Sequence, residues 1–175
     1  MALPELDALL ALERQGRRQG TGLTAPDVVG CWMLRQVWPR AGRRPLPLAA
    51  ALLRSLGARL EIALGEGSGG LRLVNAVRLG GLELRFVGAG ALGGGRPLLR
   101  FRFDRWQLGP AARPWLNQAL PSPAARQGPF FSLIGTGATE GGGRWLAARG
   151  RGGGLALWEV ASAASACLGG DGDNA

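Results

Sequence analysis

The chain of 175 residues contains no histidine, no tyrosine and no lysine. Without histidine, Ser-His-Asp and Cys-His nucleophile arrangements are excluded, as is every metal site that uses imidazole. The two cysteines, Cys31 and Cys167, stand far apart with no CxxC spacing, so no zinc or redox motif is present. Cys31 lies in the apolar stretch VVGCWML and is expected to be a buried, inert thiol; a disulfide joining it to Cys167 stays open, with nothing in the sequence favouring it. No eighteen-residue apolar run occurs, and no membrane-spanning helix is expected. The opening segment MALPELDALLALERQG is interrupted by Glu5, Asp7 and Glu13, with no basic segment ahead of an apolar run. It therefore reads as a helix rather than a signal peptide. A cytoplasmic location is expected, with peripheral contact at a membrane left open.

What is present points to a folded, glycine-rich and basic domain. Apolar residues make up 46% of the chain, too many for a disordered segment. The 31 glycines follow no collagen period and read as turns and loops. The net charge is +9, and every basic residue is arginine. Such a chain is drawn to acidic partners, nucleic acid and anionic lipid headgroups among them. A GC-rich coding sequence would leave the same arginine bias.

Leu3, Leu6, Leu9, Leu10 and Leu12 recur at near-helical spacing. They predict a helix over about residues 3–16, with Pro4 in its first turn and Gly16 as its stop. Its leucine face could cover another layer or lie on a lipid surface. Strand patterns follow at residues 28–34, 59–64, 71–79, 82–86, 99–103, 130–134, 144–148 and 155–160. A short helix is expected between the early strands, at residues 48–57. The proline-rich stretch 110–129 reads as a long connection with a helical turn around residues 115–120. Residues 162–175 read as a flexible tail. One face apolar and one face polar is the signature of antiparallel sheet. Many short strands with glycine-rich turns favour a mainly β fold, a single closed barrel over residues 1–161.

Several motifs carry competing readings. GGGR at residues 93–96 and GTGATEGGG at residues 135–143 are glycine-rich but lack the Lys-Ser/Thr and helix of a phosphate loop. RGRGGG, residues 149–154, is a single copy between two apolar strands. It reads as a hairpin turn rather than an RNA-binding RGG segment. Arg149 would then bond carbonyls or a carboxylate at the strand end. Arg100, Arg102 and Arg105 beside Trp106, with Arg72, Arg78 and Arg85, could form a basic stripe for nucleic acid. No exposed Phe or Tyr stands among them for stacking, and a solvated sheet face is the simpler reading. Among Glu61, Glu83, Asp104, Glu140 and Glu159, no spacing requires two carboxylates to converge. Ser55 and Ser132 lack a histidine partner. No catalytic residue, metal or cofactor is assigned. Trp32, Phe86, Phe101, Phe103, Phe130, Phe131 and Trp158 fall on the strands, where they either line a cavity for an apolar molecule or fill a closed core.

Four segments in order resemble the plastid lipid-associated proteins, or fibrillins, in a cyanobacterial form. They are LTAPDVVGCWML with Gly30 and Trp32, LRLVNAVRLGGLELRF with Asn75, LLRFRFDRWQL, and LAARGRGGGLALWEV with Arg149, Gly150 and Gly153. The resemblance covers about residues 3–160. It implies a lipocalin-like antiparallel barrel that binds or organises a lipid, prenylquinone or other isoprenoid near the thylakoid membrane without catalysis. Trp32, Phe86, Phe101, Phe103 and Trp158 would be the ligand-binding set. Gly30, Asn75, Arg149, Gly150 and Gly153 would be structural. By analogy with lipocalins, Arg149 would cover Trp32 through a cation–π contact. Where the family carries a further Arg, this chain has Leu146, with Glu140 and Arg144 as partial substitutes. A nucleic-acid-binding barrel and an assembly or chaperone-like module are the other readings, with nucleic acid the less favoured partner.

Overall fold

The computed structural model describes residues 2–40, 57–65, 70–95, 97–121 and 128–160. The leucine-spaced segment forms α1 (Leu6–Gln19), and α2 (Ala25–Val28) follows after a short turn. Nine strands come next: β1 (Gly30–Trp38), β2 (Arg59–Leu64), β3 (Gly70–Leu79), β4 (Leu82–Gly93), β5 (Leu98–Gly109), β6 (Leu116–Ala119), β7 (Phe130–Ala138), β8 (Arg144–Gly150) and β9 (Leu155–Val160). All pairings are antiparallel. The order is β4-β3-β2-β1-β9-β8-β7-β5, and a β4–β5 ladder closes the ring. Closure pairs each strand of the ring on both sides over part of its length, and β6 lies along the remainder of β5. Among the described residues, no helix is long and apolar enough to cross a membrane.

Alternation along the strands sorts side chains into two cores. The inner one holds Trp32, Leu60, Ile62, Leu73, Leu99, Leu133, Leu146 and Trp158. The outer one holds Trp38, Ile134, Trp145, Ala147, Leu155 and Leu157, covered by Leu9 of α1 with Leu3, Leu6 and Leu12 around it. The leucine face of α1 is thus spent on the barrel wall. β8 and β9 are buried on both faces, which is why LAA and LALW carry almost no polar residue.

One-residue bulges re-phase three strands. In β1 the register slips at Arg35. Leu34 and Val37 both face in, and Trp38 faces out to α1. In β7 the slip falls at Ile134, between inward Leu133 and the outer core. Where β4 meets β5, Asp104 is the extra residue. Here a Cβ at Gly88 would run into the Arg102 carbonyl.

Three expectations are corrected. α1 does not stop at Gly16 but runs to Gln19, and Pro4 lies ahead of it. Gly16 is buried, and the Thr21 methyl lies 2.8 Å from where its Cβ would be. That glycine makes room for packing, and Gly20 ends the helix by donating its N–H to the Gly16 carbonyl. The turn expected at residues 115–120 is strand β6, paired with Arg105–Leu108. β5 runs past its contact with β7, which ends at Arg100, and its edge is free there to take the returning chain. Cys31 is half-buried rather than buried, because it alternates with inward Trp32, and it is disulfide-bonded rather than a thiol. The helix expected at residues 48–57, Gly57 apart, lies outside the described residues, as do Cys167 and residues 162–175.

Candidate functional site

One end of the barrel is sealed. α2 ends beneath it with carbonyl oxygens that lack helical partners. The Trp32 indole N–H donates to the Val28 carbonyl at 2.7 Å. Arg144 donates to the Val29 carbonyl at 2.7 Å and to the Asp27 carbonyl at 3.3 Å. The same guanidinium lies 5.2 Å from the centre of the Trp32 ring. Positive charge at a helix C-terminus and over an indole is favourable on both counts. Gly30 is part of this fit: its φ is 155°, and an added Cβ would stand 3.3 Å from the Trp32 ring and 3.4 Å from the Arg144 guanidinium. α2 itself is held by Thr24, whose N–H and hydroxyl donate to Asp27 at 2.8 and 2.6 Å. The Thr24 hydroxyl and then its N–H hold the Asp27 carboxyl below the usual range, with help from the Arg144 charge.

The cation over Trp32 is therefore Arg144 and not Arg149. The reason is parity. Leu146 and Ala148 of β8 face inward with Trp158, so Arg144 does too, whereas Arg149 faces out with Trp145 and Ala147. Arg149 instead grips α1. Its Nε and one terminal nitrogen donate to the two carboxylate oxygens of Glu13 at 2.7 and 2.6 Å, and the other donates to the Gly153 carbonyl at 2.6 Å. The turn it braces has Gly153 N–H on the Gly150 carbonyl and Gly150 N–H on the Gly154 carbonyl. Gly153 has φ 85°. Arg149, above all, holds the Glu13 carboxyl below the usual range, and Glu13 raises Arg149 in turn.

The other end holds a cavity of about 240 Å³. Phe101, Phe103, Phe131 and Trp158 form its aromatic wall, and Leu34, Val37 and Ala156 add to it. The rings make one chain: Phe86–Phe103 at 5.7 Å between centroids, Phe103–Phe101 at 5.4 Å, Phe101–Phe131 at 5.1 Å and Phe131–Trp158 at 5.5 Å. All are tilted or edge-on, the arrangement aromatic pairs prefer. Of the five residues expected at a ligand, Phe101, Phe103 and Trp158 line the cavity. Phe86 stands behind Phe103, and Trp32 is fully buried in the inner core. Phe131 belongs with the lining; its place in an apolar strand start was the only signal in the sequence. Asn75 is exposed at the rim, on the inward-facing side of β3 with Leu73. Leu146, where the resembling family has Arg, is buried in the inner core, so this position adds no charge to the barrel interior.

Arg59 also borders the cavity, but its donors are spent elsewhere. It donates to Glu61 at 2.6 Å and to both oxygens of Glu83 at 2.6 and 2.8 Å. Arg78 and Arg85 approach Glu83 at 3.3 Å each. Glu61 and Glu83 do converge, which their spacing did not require, because β2, β3 and β4 bring them onto one face. Burial pushes the Glu83 carboxyl up, but hydrogen bonds from Arg59 and the charges of Arg59, Arg85 and Arg78 outweigh it and hold the group below the usual range. A carboxylate held ionised by three arginines is a poor general acid. The same network breaks up the arginine stripe: Arg78 and Arg85 sit on Glu83, and Arg102 lies 2.8 Å from Asp104. Among the described residues, no group of three or more Cys, Asp or Glu is placed to hold a metal ion.

In comparisons with known proteins, no family model matches the chain and no curated protein is significantly similar to it.

Proposed function

We propose that the barrel binds an apolar small molecule, without catalysis, in the cavity at its open end. The single observation that supports this most is the 240 Å³ space walled by Phe101, Phe103, Phe131 and Trp158. A lining of this kind with few polar groups is what apolar ligands select. The volume is below the 300–1,000 Å³ of sites that enclose a drug-sized molecule. It suits one segment of a longer molecule, such as a ring or a branched tail, with the remainder outside. The Asn75 amide at the rim can hydrogen-bond a carbonyl or hydroxyl there. The ligand class is a lipid, a prenylquinone or another isoprenoid. The resemblance to plastid lipid-associated proteins favours the same class and adds a setting, the photosynthetic membrane, whose anionic headgroups would attract a basic chain.

The test is native mass spectrometry after incubation with a thylakoid lipid extract, on the original chain and on Ala156→Phe. A retained stoichiometric species that disappears when the new ring fills the cavity supports the reading. A clean apo mass from folded protein overturns it.

A further inference from the structure

On the outer wall, α1 and the barrel enclose a second, larger cleft of about 710 Å³. Its charge is one-sided. Arg14 and Arg17 come from α1, Arg40 from just past β1, Arg149 from β8 and Arg151 from the β8–β9 turn. Glu13 is the acidic residue on its lining. Three segments far apart in sequence thus deliver arginine to one concavity, which the polar face of a single helix would not do. Like charges gathered this way repel one another, and an anion between them removes that cost.

The one carboxylate cannot neutralise the group. Both Glu13 oxygens are taken by Arg149, and one of them also accepts from Arg17 at 2.8 Å. Each nitrogen of Arg149 likewise has a partner, the third lying on the Gly153 carbonyl. Arg14 and Arg40 are exposed and have no ion-pair partner among the described residues. Arg151 is exposed and already engaged, among its contacts a donation at 3.2 Å to the Gly128 carbonyl. The clamp of Glu13 and Arg149 thus forms a floor, and the Arg14 and Arg40 guanidinium groups border it. Thr21 and Ser132 add hydroxyls, and Leu10 and Phe130 add an apolar side.

We infer that this cleft is a binding site for a phosphate ester, gripped by Arg14 and Arg40 with Arg17 beside them. Guanidinium forks match phosphate oxygens bidentately and stay charged at every physiological pH. The size of the cleft leaves room for the group the phosphate carries. The inference does not depend on the apolar cavity, which opens to the barrel interior on the other side of β7. Soluble phosphate esters and the headgroups of anionic lipids share this chemistry.

The experiment uses isothermal titration calorimetry with inorganic pyrophosphate, and sedimentation with phosphatidylcholine vesicles with and without phosphatidylglycerol. Two triple variants remove equal charge: Arg14→Gln, Arg17→Gln, Arg40→Gln in the cleft, and Arg100→Gln, Arg105→Gln, Arg113→Gln elsewhere on the surface. Saturable pyrophosphate binding weakened about tenfold or more by the cleft triple, and under about twofold by the other, supports a site for soluble phosphate esters. The same pattern seen only with phosphatidylglycerol vesicles supports the headgroup. Arg14→Glu alone, on an exposed helix position, repeats the reading should the triple fold poorly. No saturable binding to either probe, or equal loss in both triples, overturns the inference.

Discussion

At the scale of single residues, β-strand parity decides roles that residue type leaves open. Arg144 and Arg149 are chemically identical and five positions apart, yet one faces in to Trp32 and the other out to α1. Replacing Arg144 with Met leaves the Val29 carbonyl without its donor and uncovers the Trp32 ring. The expected loss is about 2–3 kcal/mol, since a hydrogen bond from a charged group is worth roughly 1.5–3 kcal/mol. Urea unfolding, with Trp fluorescence to follow the uncovered indole, measures it. Glycine roles divide the same way. A Cβ on Gly137 would lie 2.7–3.0 Å from the Trp145 indole, whereas one on Gly141 meets nothing within 4 Å. Gly137→Ala should cost about 1–3 kcal/mol as an overpacked site, and Gly141→Ala should leave the unfolding midpoint unchanged. From the sequence both glycines belong to one nucleotide-loop look-alike; only the opposing Trp145 tells them apart.

At the scale of elements, α1 is held on the barrel by apolar contact and by the Glu13–Arg149 ion pair. Glu13, held below the usual carboxylate range by Arg149, stabilises docking only while ionised. Its contribution is complete above its ordinary value of about 4.5 and is lost as pH falls through the lower folded value. Acidification should therefore expose α1 before the barrel melts. Hydrogen exchange at α1 amides reads this out, and Glu13→Gln should show the faster exchange already at neutral pH. Identical protection of α1 in Glu13→Gln and the original chain at pH 7 would rule the clamp out. The leucine periodicity made the helix legible, but its two candidate destinations differ in nothing the helix itself encodes. The outward residues Trp145, Ala147, Leu155 and Leu157 settle which one it takes.

At the scale of the whole molecule, one closed ring carries, among its concavities, two of unlike chemistry. The inner is small and aromatic, and the outer is larger and ringed by arginine. They should respond oppositely to salt. Binding in the outer cleft should weaken as ionic strength rises, because its charges lie in reach of screening ions. Retention of an apolar ligand should hold or improve, since salts excluded from apolar surface favour burial. Measuring both across about 0.05–0.5 M potassium sulfate separates the two sites; a parallel fall of both would tie them to one electrostatic mode.

The sequence by itself determined the mainly β composition, eight of the nine strands, the leading helix and the hairpin turn at residues 149–154. These follow from local periodicity and turn chemistry, which neighbouring residues carry among themselves. It also marked Phe101, Phe103 and Trp158 as partners before any of them could be placed together. The tertiary structure alone decided that Arg144 caps Trp32, that Glu61 and Glu83 converge on Arg59, that β6 is a strand, and that arginines from three distant segments share a cleft. Each of those depends on ring closure, on bulges at Arg35, Asp104 and Ile134 that shift which residues face inward, and on pairing between strands distant in the chain. Such contacts are set by the whole sheet at once, and no local pattern contains them.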